Sequence, residues 1–196
     1  QGSSWGPASG GRRSRMFAAG GSHTVLLRGD GTAVACGSNS HGQCDLPALG
    51  AGETYTQAAA RGGHTVLLRS DGTAVACGDN GFGQCDLPAL GVGQTYTQVA
   101  AGGIHTVLLR SDGTAVACGF NGSGRCDIPA LDASRTYFQV AAGGDHTVLL
   151  RSDGTAVACG FNSDGQCDLP ALCAGQTYTK VAAGGFHTVL LRSDGT

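Results

Sequence analysis

Methionine, tryptophan and lysine each occur once in 196 residues, and proline only five times. Charged residues make up 13% of the chain, half the usual share of about 25%. A net charge of −2 beside an apolar fraction of 41% excludes a disordered polyelectrolyte. Scarce proline, and glycines that do not fall at every third position, exclude collagen. No run approaches the ~20 apolar residues that a membrane-crossing helix requires, so no direct membrane insertion is expected. No segment holds the 3.6-residue apolar period of a helix. A P-loop, a nucleophile elbow and carboxylates at a catalytic spacing are also missing. The sequence therefore predicts no enzyme, no catalytic residue and no cofactor. What is in excess is glycine, with 35 residues, and cysteine, with nine. Such skewed usage points to one short segment copied several times.

The string HTVLL begins at His23, His64, His105, His146 and His187, in steps of 41 residues. Residues 60–100 and 101–141 share 30 identities in 41 positions without a gap. Within a copy, HTVLLRS (64–70) and TAVACG (73–78) flank Asp71-Gly72, a strong hairpin signal. A two-residue type I′ turn there sets Leu68 opposite Val75, Leu67 opposite Ala76 and Val66 opposite Cys77. Both faces of that hairpin are largely apolar, so it should be covered on both sides, as in stacked blades. A further strand is read from TYTQVAAG (95–102), ending in small residues suited to a crowded axis. GFGQCDLP (81–88) is expected to add a short outer strand, with Pro88 at its edge. The fold expected is all-β: a β-propeller of 41-residue blades with three or four short antiparallel strands each. Four full blades and a partial fifth span about 16–53, 54–94, 95–135, 136–176 and 177–196. Residues 1–15 read as a flexible Gly/Ser/Arg-rich segment.

The unit VAAGGxHTVLLxxDGTxxxxGxNxxGQ resembles the repeat of the regulator-of-chromosome-condensation family. It is carried here by Val99 to Gly103, His105 to Leu109, Asp112-Gly113, Gly119 and Asn121-Gly122, with Gly-Gln at Gly83-Gln84 and Gly165-Gln166. The likeness covers residues 16 to 196, and the compact period is closer to short-bladed members such as a β-lactamase-inhibiting propeller. The resemblance implies a seven-bladed ring used mainly for protein–protein contact. It also implies, through the family's founder, a possible role as nucleotide-exchange factor for a small GTPase. This chain departs by placing Cys36, Cys77, Cys118 and Cys159 where an aromatic is usual. It also has Gly-Gln-Cys-Asp where Gly-Gln-Leu-Gly is usual. Seven units of 41 residues make 287 against the 196 present, so the expectation is a piece of a longer ring within a larger assembly.

The five repeated histidines each start a strand at the same height, too far apart around an axis to share one ion. They are read as ties between blades, and no metal site is expected. Cysteines pair eight apart, as in Cys77/Cys85, with Cys173 alone. That spacing allows one disulfide per blade or free thiols packed at the blade interface, and the inward position of Cys77 favours thiols. The odd count argues mildly against a secreted framework, whereas the sequon at Asn121-Gly122-Ser123 argues weakly for one. No apolar leader is visible, and an intracellular setting is favoured. Arg28, Arg69, Arg110, Arg151 and Arg192 each precede an Asp by two residues and read as solvated or paired. Residues 16–196 hold nine Lys/Arg against fourteen Asp/Glu, which repels phosphate, so no nucleic acid partner is expected.

Copies within one chain also separate what every blade needs from what is free to vary. The residue before each histidine varies (Ser22, Gly63, Ile104, Asp145, Phe186). So do loop residues after Cys-Gly, including His41, Asp79, Phe82, Phe120, Phe161 and Asp164. The hairpin register sends both sets to one face, away from Asp71-Gly72. Phe82, Ile104, Phe120, Asp145, Phe161, Asp164 and Phe186 are accordingly the candidate partner-binding residues, for a protein partner whose identity is not specified.

Overall fold

The computed structural model describes residues 17–196, so the Gly/Ser/Arg-rich segment read over 1–15 lies outside the described residues. Fourteen strands form five antiparallel sheets, and no helix occurs among the described residues. The first sheet holds β1 (Phe17–Ala19), β2 (His23–Leu27) and β3 (Ala33–Gly37). The second holds β4 (Tyr55–Arg61), β5 (His64–Arg69) and β6 (Ala74–Gly78). β7 (Tyr96–Ala101), β8 (His105–Arg110) and β9 (Ala115–Gly119) make the third. β10 (Tyr137–Ala142), β11 (His146–Arg151) and β12 (Ala156–Gly160) make the fourth. The last has two strands, β13 (Tyr178–Ala183) and β14 (Thr188–Arg192). These are four blades and a partial fifth. GFGQCDLP forms no outer strand; it is a loop, held by side-chain bonds described below, so each full blade has three strands.

The hairpin is displaced by one residue from the type I′ expectation. Leu68 pairs with Ala74, Leu67 with Val75, Val66 with Ala76 and Thr65 with Cys77. A type I′ turn needs positive φ at both Asp71 and Gly72, and no non-glycine residue described has it. Instead Ser70-Asp71-Gly72 forms a three-residue loop. Gly72 N–H donates to Arg69 O at 3.1 Å, and Arg69 N–H to Thr73 O at 2.8 Å. Asp71 stays right-handed because its Oδ1 accepts from both the N–H (2.8 Å) and the hydroxyl (2.7 Å) of Thr73. Gly72 alone takes the left-handed position, at φ 81°.

The slip re-sorts the faces. Val66 and Leu68 share a side with Ala74 and Ala76, and pack on Leu108, Tyr96 and Val99 of the next blade. Leu67 and Val75, with Tyr55 of their own blade, face the preceding blade, against Val25 and Leu27. Cys77 follows them, its thiol directed at Gln43 O of the preceding blade at 3.7 Å. Both faces are covered, as two-sided apolar hairpins require. Val66, Val107, Leu67, Leu108 and Leu149 are fully buried, each worth roughly 1.5–3 kcal/mol.

At the inner ends, glycines of neighbouring blades touch. Gly103 N–H donates to Gly144 O at 3.1 Å, and a Cβ on Gly103 would lie 2.5 Å from that oxygen. Hence the run of small residues. Arg61 is an exception, standing where the other copies carry Gly20, Gly102, Gly143 and Gly184. Its Nη1 reaches across to Ala183 O of the fifth blade at 3.4 Å.

A hydroxyl relay ties each blade to the next. The Thr106 hydroxyl donates to Gln84 O at 2.7 Å, so its oxygen accepts from His64 Nε2–H at 3.0 Å. His23–Thr65, His105–Thr147 and His146–Thr188 repeat it at 2.9–3.0 Å. The histidines thus tie blade to blade through a threonine side chain rather than directly to backbone. Burial pushes His64 down to about 4 and, with the charge of Arg125 nearby, His105 to about 3, so both rings are neutral at pH 7.

Candidate functional site: the loop face

Each third strand ends in a loop built on an asparagine. Asn80 Oδ1 accepts the Cys85 N–H at 2.8 Å, and its Nδ2 donates to Asp86 at 2.8 Å. Asn39, Asn121 and Asn162 repeat both bonds at 2.7–2.9 Å. From below, Tyr96 donates its hydroxyl to Pro88 O, and Tyr137 to Pro129 O at 2.6 Å. The loops are therefore rigid platforms, and their varied tips project from one end of the blades. Asp79 N–H bonds Gly63 O at 2.9 Å, which puts the residue before the histidine beside that loop, as expected despite the register slip.

Phe82 and Phe120, from successive blades, meet edge to face with centroids 5.0 Å apart and planes at 64°. Both remain exposed, Phe82 at 53%. Arg125 lies over the Phe120 ring, its guanidinium carbon 5.0 Å from the centroid. The same guanidinium pairs with Asp145 of the next blade and donates to Ser123 Oγ at 3.3 Å. Arg125 is buried, with 4% of its side chain exposed. Phe82, Phe120 and Asp145 are thus joined into one cluster by a residue that sequence reading passed over. The signal was available: Arg125 replaces the glutamine of Gln43, Gln84 and Gln166, and Asp145 is the one carboxylate among the residues preceding the histidines.

The remaining candidates fall around this cluster. Ile104 is half-buried and accepts the Phe120 N–H on its carbonyl at 3.0 Å. Phe161 is half-buried too, with its N–H on Asp145 O at 2.8 Å. Phe186 is 62% exposed and, with exposed Asp164, borders a separate pocket of about 220 Å³ beside the last strand.

Under the loops lie the glutamines. Gln84 accepts the Phe82 N–H on Oε1 at 2.9 Å, and Gln166 accepts the Asp164 N–H at 3.0 Å. Both residues are buried, and the Nε2 donor of each has no partner among the described residues.

Charge is segregated between the two ends. The loop end carries seven aspartates: Asp79, Asp145 and Asp164, and the Asn-bound Asp45, Asp86, Asp127 and Asp168. Two arginines stand there: Arg125, already paired with Asp145, and Arg61 at the turn between β4 and β5, whose Nη1 donates to Ala183 O. Elsewhere among the described residues seven Lys/Arg stand against seven Asp/Glu. The opposite end is internally matched, with Arg69 3.7 Å from Glu53, and Arg135 2.9 Å from Asp153 and 3.3 Å from Asp132.

The nine cysteines are free thiols. Burial, and then the neighbouring thiols, push Cys77 up to about 11 and Cys118 and Cys159 to about 12. They stay protonated at neutral pH, the reverse of an activated nucleophile. Among the described residues no three His, Cys, Asp or Glu side chains converge as a metal site would require. No described helix is long and apolar enough to cross a membrane.

The profile of the regulator of chromosome condensation (RCC1) repeat matches residues 17–43, 57–84, 96–125 and 139–166, more than half of the chain. No curated protein sequence matches it. Among solved structures, Prp20p from Saccharomyces cerevisiae, studied with its binding properties to Gsp1p and histones, superposes with a TM-score of 0.77 at 22% identity. That match covers 91% of this chain and 55% of Prp20p. Human WBSCR16 gives 0.78 at 18% identity, over 91% of this chain and 59% of that one. The ectodomain of the Arabidopsis thaliana receptor kinase ACR4 gives 0.71 at 21%, over 90% and 63%. The chain thus spans little more than half the length of these propellers.

Proposed function

The chain belongs to the regulator of chromosome condensation (RCC1) repeat family, and on that footing we propose that it is a non-catalytic protein-interaction module that docks its partner on the loop face. The observation that carries this reading is the Phe82–Phe120 pair. Two large rings sit edge to face across a blade boundary and stay open to solvent, on loops otherwise fixed by repeated bonds. Exposed aromatics on a rigid platform are the usual anchors of an interface. Ile104, Asp145, Phe161, Asp164 and Phe186 complete the proposed surface. Enrichment from cell extract, quantified by mass spectrometry, tests it. Phe82→Asp with Phe120→Asp should remove the proteins that the unaltered chain retains, while Arg69→Glu on the opposite end should not. Equal retention by all three versions refutes the reading.

Exchange-factor activity is the second reading, favoured by the structural kinship with Prp20p, which was studied for its binding to Gsp1p. Against it, the loops are short and nearly identical, and none is long enough to wedge into a nucleotide site. Release of labelled GDP from small GTPases, with and without the chain, separates the two.

A further inference from the structure

The loop face also specifies the chemistry of what it takes. Resting on the interaction-module reading, we infer that its partner presents a basic, arginine-bearing extended segment. Three observations converge. The first is the surplus of five negative charges at this end, while the rest of the described molecule is balanced. Complementary charge steers association and excludes wrong partners.

The second is that the chain already contains a bound guanidinium. Arg125 is held between the Phe120 ring, at 5.0 Å, and the Asp145 carboxylate. Aromatic face plus carboxylate is the combination that selects guanidinium over ammonium, because the planar cation stacks and bonds at once. The neighbouring positions offer the same elements without an arginine of their own. Asp79 and Phe82 stand in the loop of the second blade, and Asp164 with Phe186 at the boundary of the fourth and fifth. Phe82 keeps half its surface free, and Asp79 bonds only the Gly81 N–H, at 2.9 Å, among its side-chain hydrogen bonds. Asp164 is exposed.

The third is the pair of buried amide donors, Gln84 Nε2 and Gln166 Nε2, one at the root of each of these two loops and neither with a partner among the described residues. A donor without an acceptor is costly. An extended segment laid over the loops brings backbone carbonyls to this side of the molecule along with its cations.

The test is fluorescence anisotropy with the full 196-residue chain and a labelled, extended peptide carrying several arginines. Its twin has citrulline, the neutral isostere, at the same positions. The arginine peptide should bind at least about tenfold more tightly than the citrulline peptide, and weaken as salt rises from about 50 to about 300 mM. Asp79→Asn with Asp164→Asn, changes that preserve shape at a half-buried and an exposed position, should cost about tenfold in affinity and flatten the salt dependence. Equal affinity for the two peptides, or no binding of either, overturns the inference. Binding that emerges only after Arg12→Ala, Arg13→Ala and Arg15→Ala also overturns it, because the occupant would then be the chain's own segment. If arginine peptides fail while Phe82→Asp with Phe120→Asp still abolishes retention from extract, the basic partner falls and the interaction module stands.

Discussion

At the scale of single residues, the blade contacts are governed by one relay. Thr106 receives from His64 and gives to Gln84 O, so a single hydroxyl satisfies two buried groups. Thr106→Val keeps the shape and deletes the relay, leaving a donor and an acceptor unpaired, at an expected cost of about 2–4 kcal/mol. Thr106→Ser should retain most of the stability; urea midpoints compare the two. The histidines add a pH dependence whose sign follows from their burial. An unfolded chain takes up protons near pH 6.5, whereas folded His64 resists until about 4 and His105 until about 3. Stability should therefore be full above pH 7 and fall as pH drops below about 6.5, by up to about 1.4 kcal/mol per unit for each such ring. A denaturation midpoint that is flat between pH 7 and 4.5 would contradict this.

At the scale of elements, the hairpin shows what sequence reading captures and where it stops. Period, strand content and two-sided burial follow from HTVLLRSDGTAVACG alone, because 41-residue copying and apolar runs flanking Asp-Gly admit few other folds. The register does not, since Asp-Gly serves equally in a two-residue type I′ turn and in a three-residue loop closed by glycine. The deciding bonds come from Thr73, whose amide and hydroxyl both cap Asp71 and hold it right-handed. Gly72→Ala then meets two obstacles, a φ of 81° and the Thr95 side chain 2.4 Å from the new Cβ. We expect a loss exceeding about 1 kcal/mol, well above that of Gly91→Ala in the outer loop, where only the flexible end of Gln94 lies close. Thermal melts of the two variants check the ranking. The outer strand that GFGQCDLP suggests does not form, for a related reason. The loop backbone is satisfied by Asn80 and Asp86 rather than by a neighbouring strand, and side-chain networks of this kind leave no alternating pattern.

At the scale of the whole molecule, near-identical blades are set apart by a few departures from the repeat. The exposed Phe82 and Phe186 were legible in the sequence, since they vary where the scaffold does not. The grouping around Arg125 was not, because it depends on positions 20 residues apart that meet only when blades stack. Its energetics should be asymmetric. Asp145→Asn strands a buried cation and should cost about 3 kcal/mol, whereas Arg125→Gln restores the residue used by three other copies and should cost less. Combining them should recover most of the loss seen with Asp145→Asn alone, which equilibrium unfolding of the three variants measures.

Copied blades carry a hazard of their own. Every relay threonine is chemically acceptable to every relay histidine, so a chain collapsing quickly can join blades out of order with its hydrogen bonds intact. The Arg125–Asp145 pair is present at one boundary only. A misordered stack would put that cation under Ser22, Gly63 or Phe186, with no carboxylate to receive it, and so be driven back. A salt bridge that adds little to the finished fold would then act during folding as a proofreader, marking which blade must follow which.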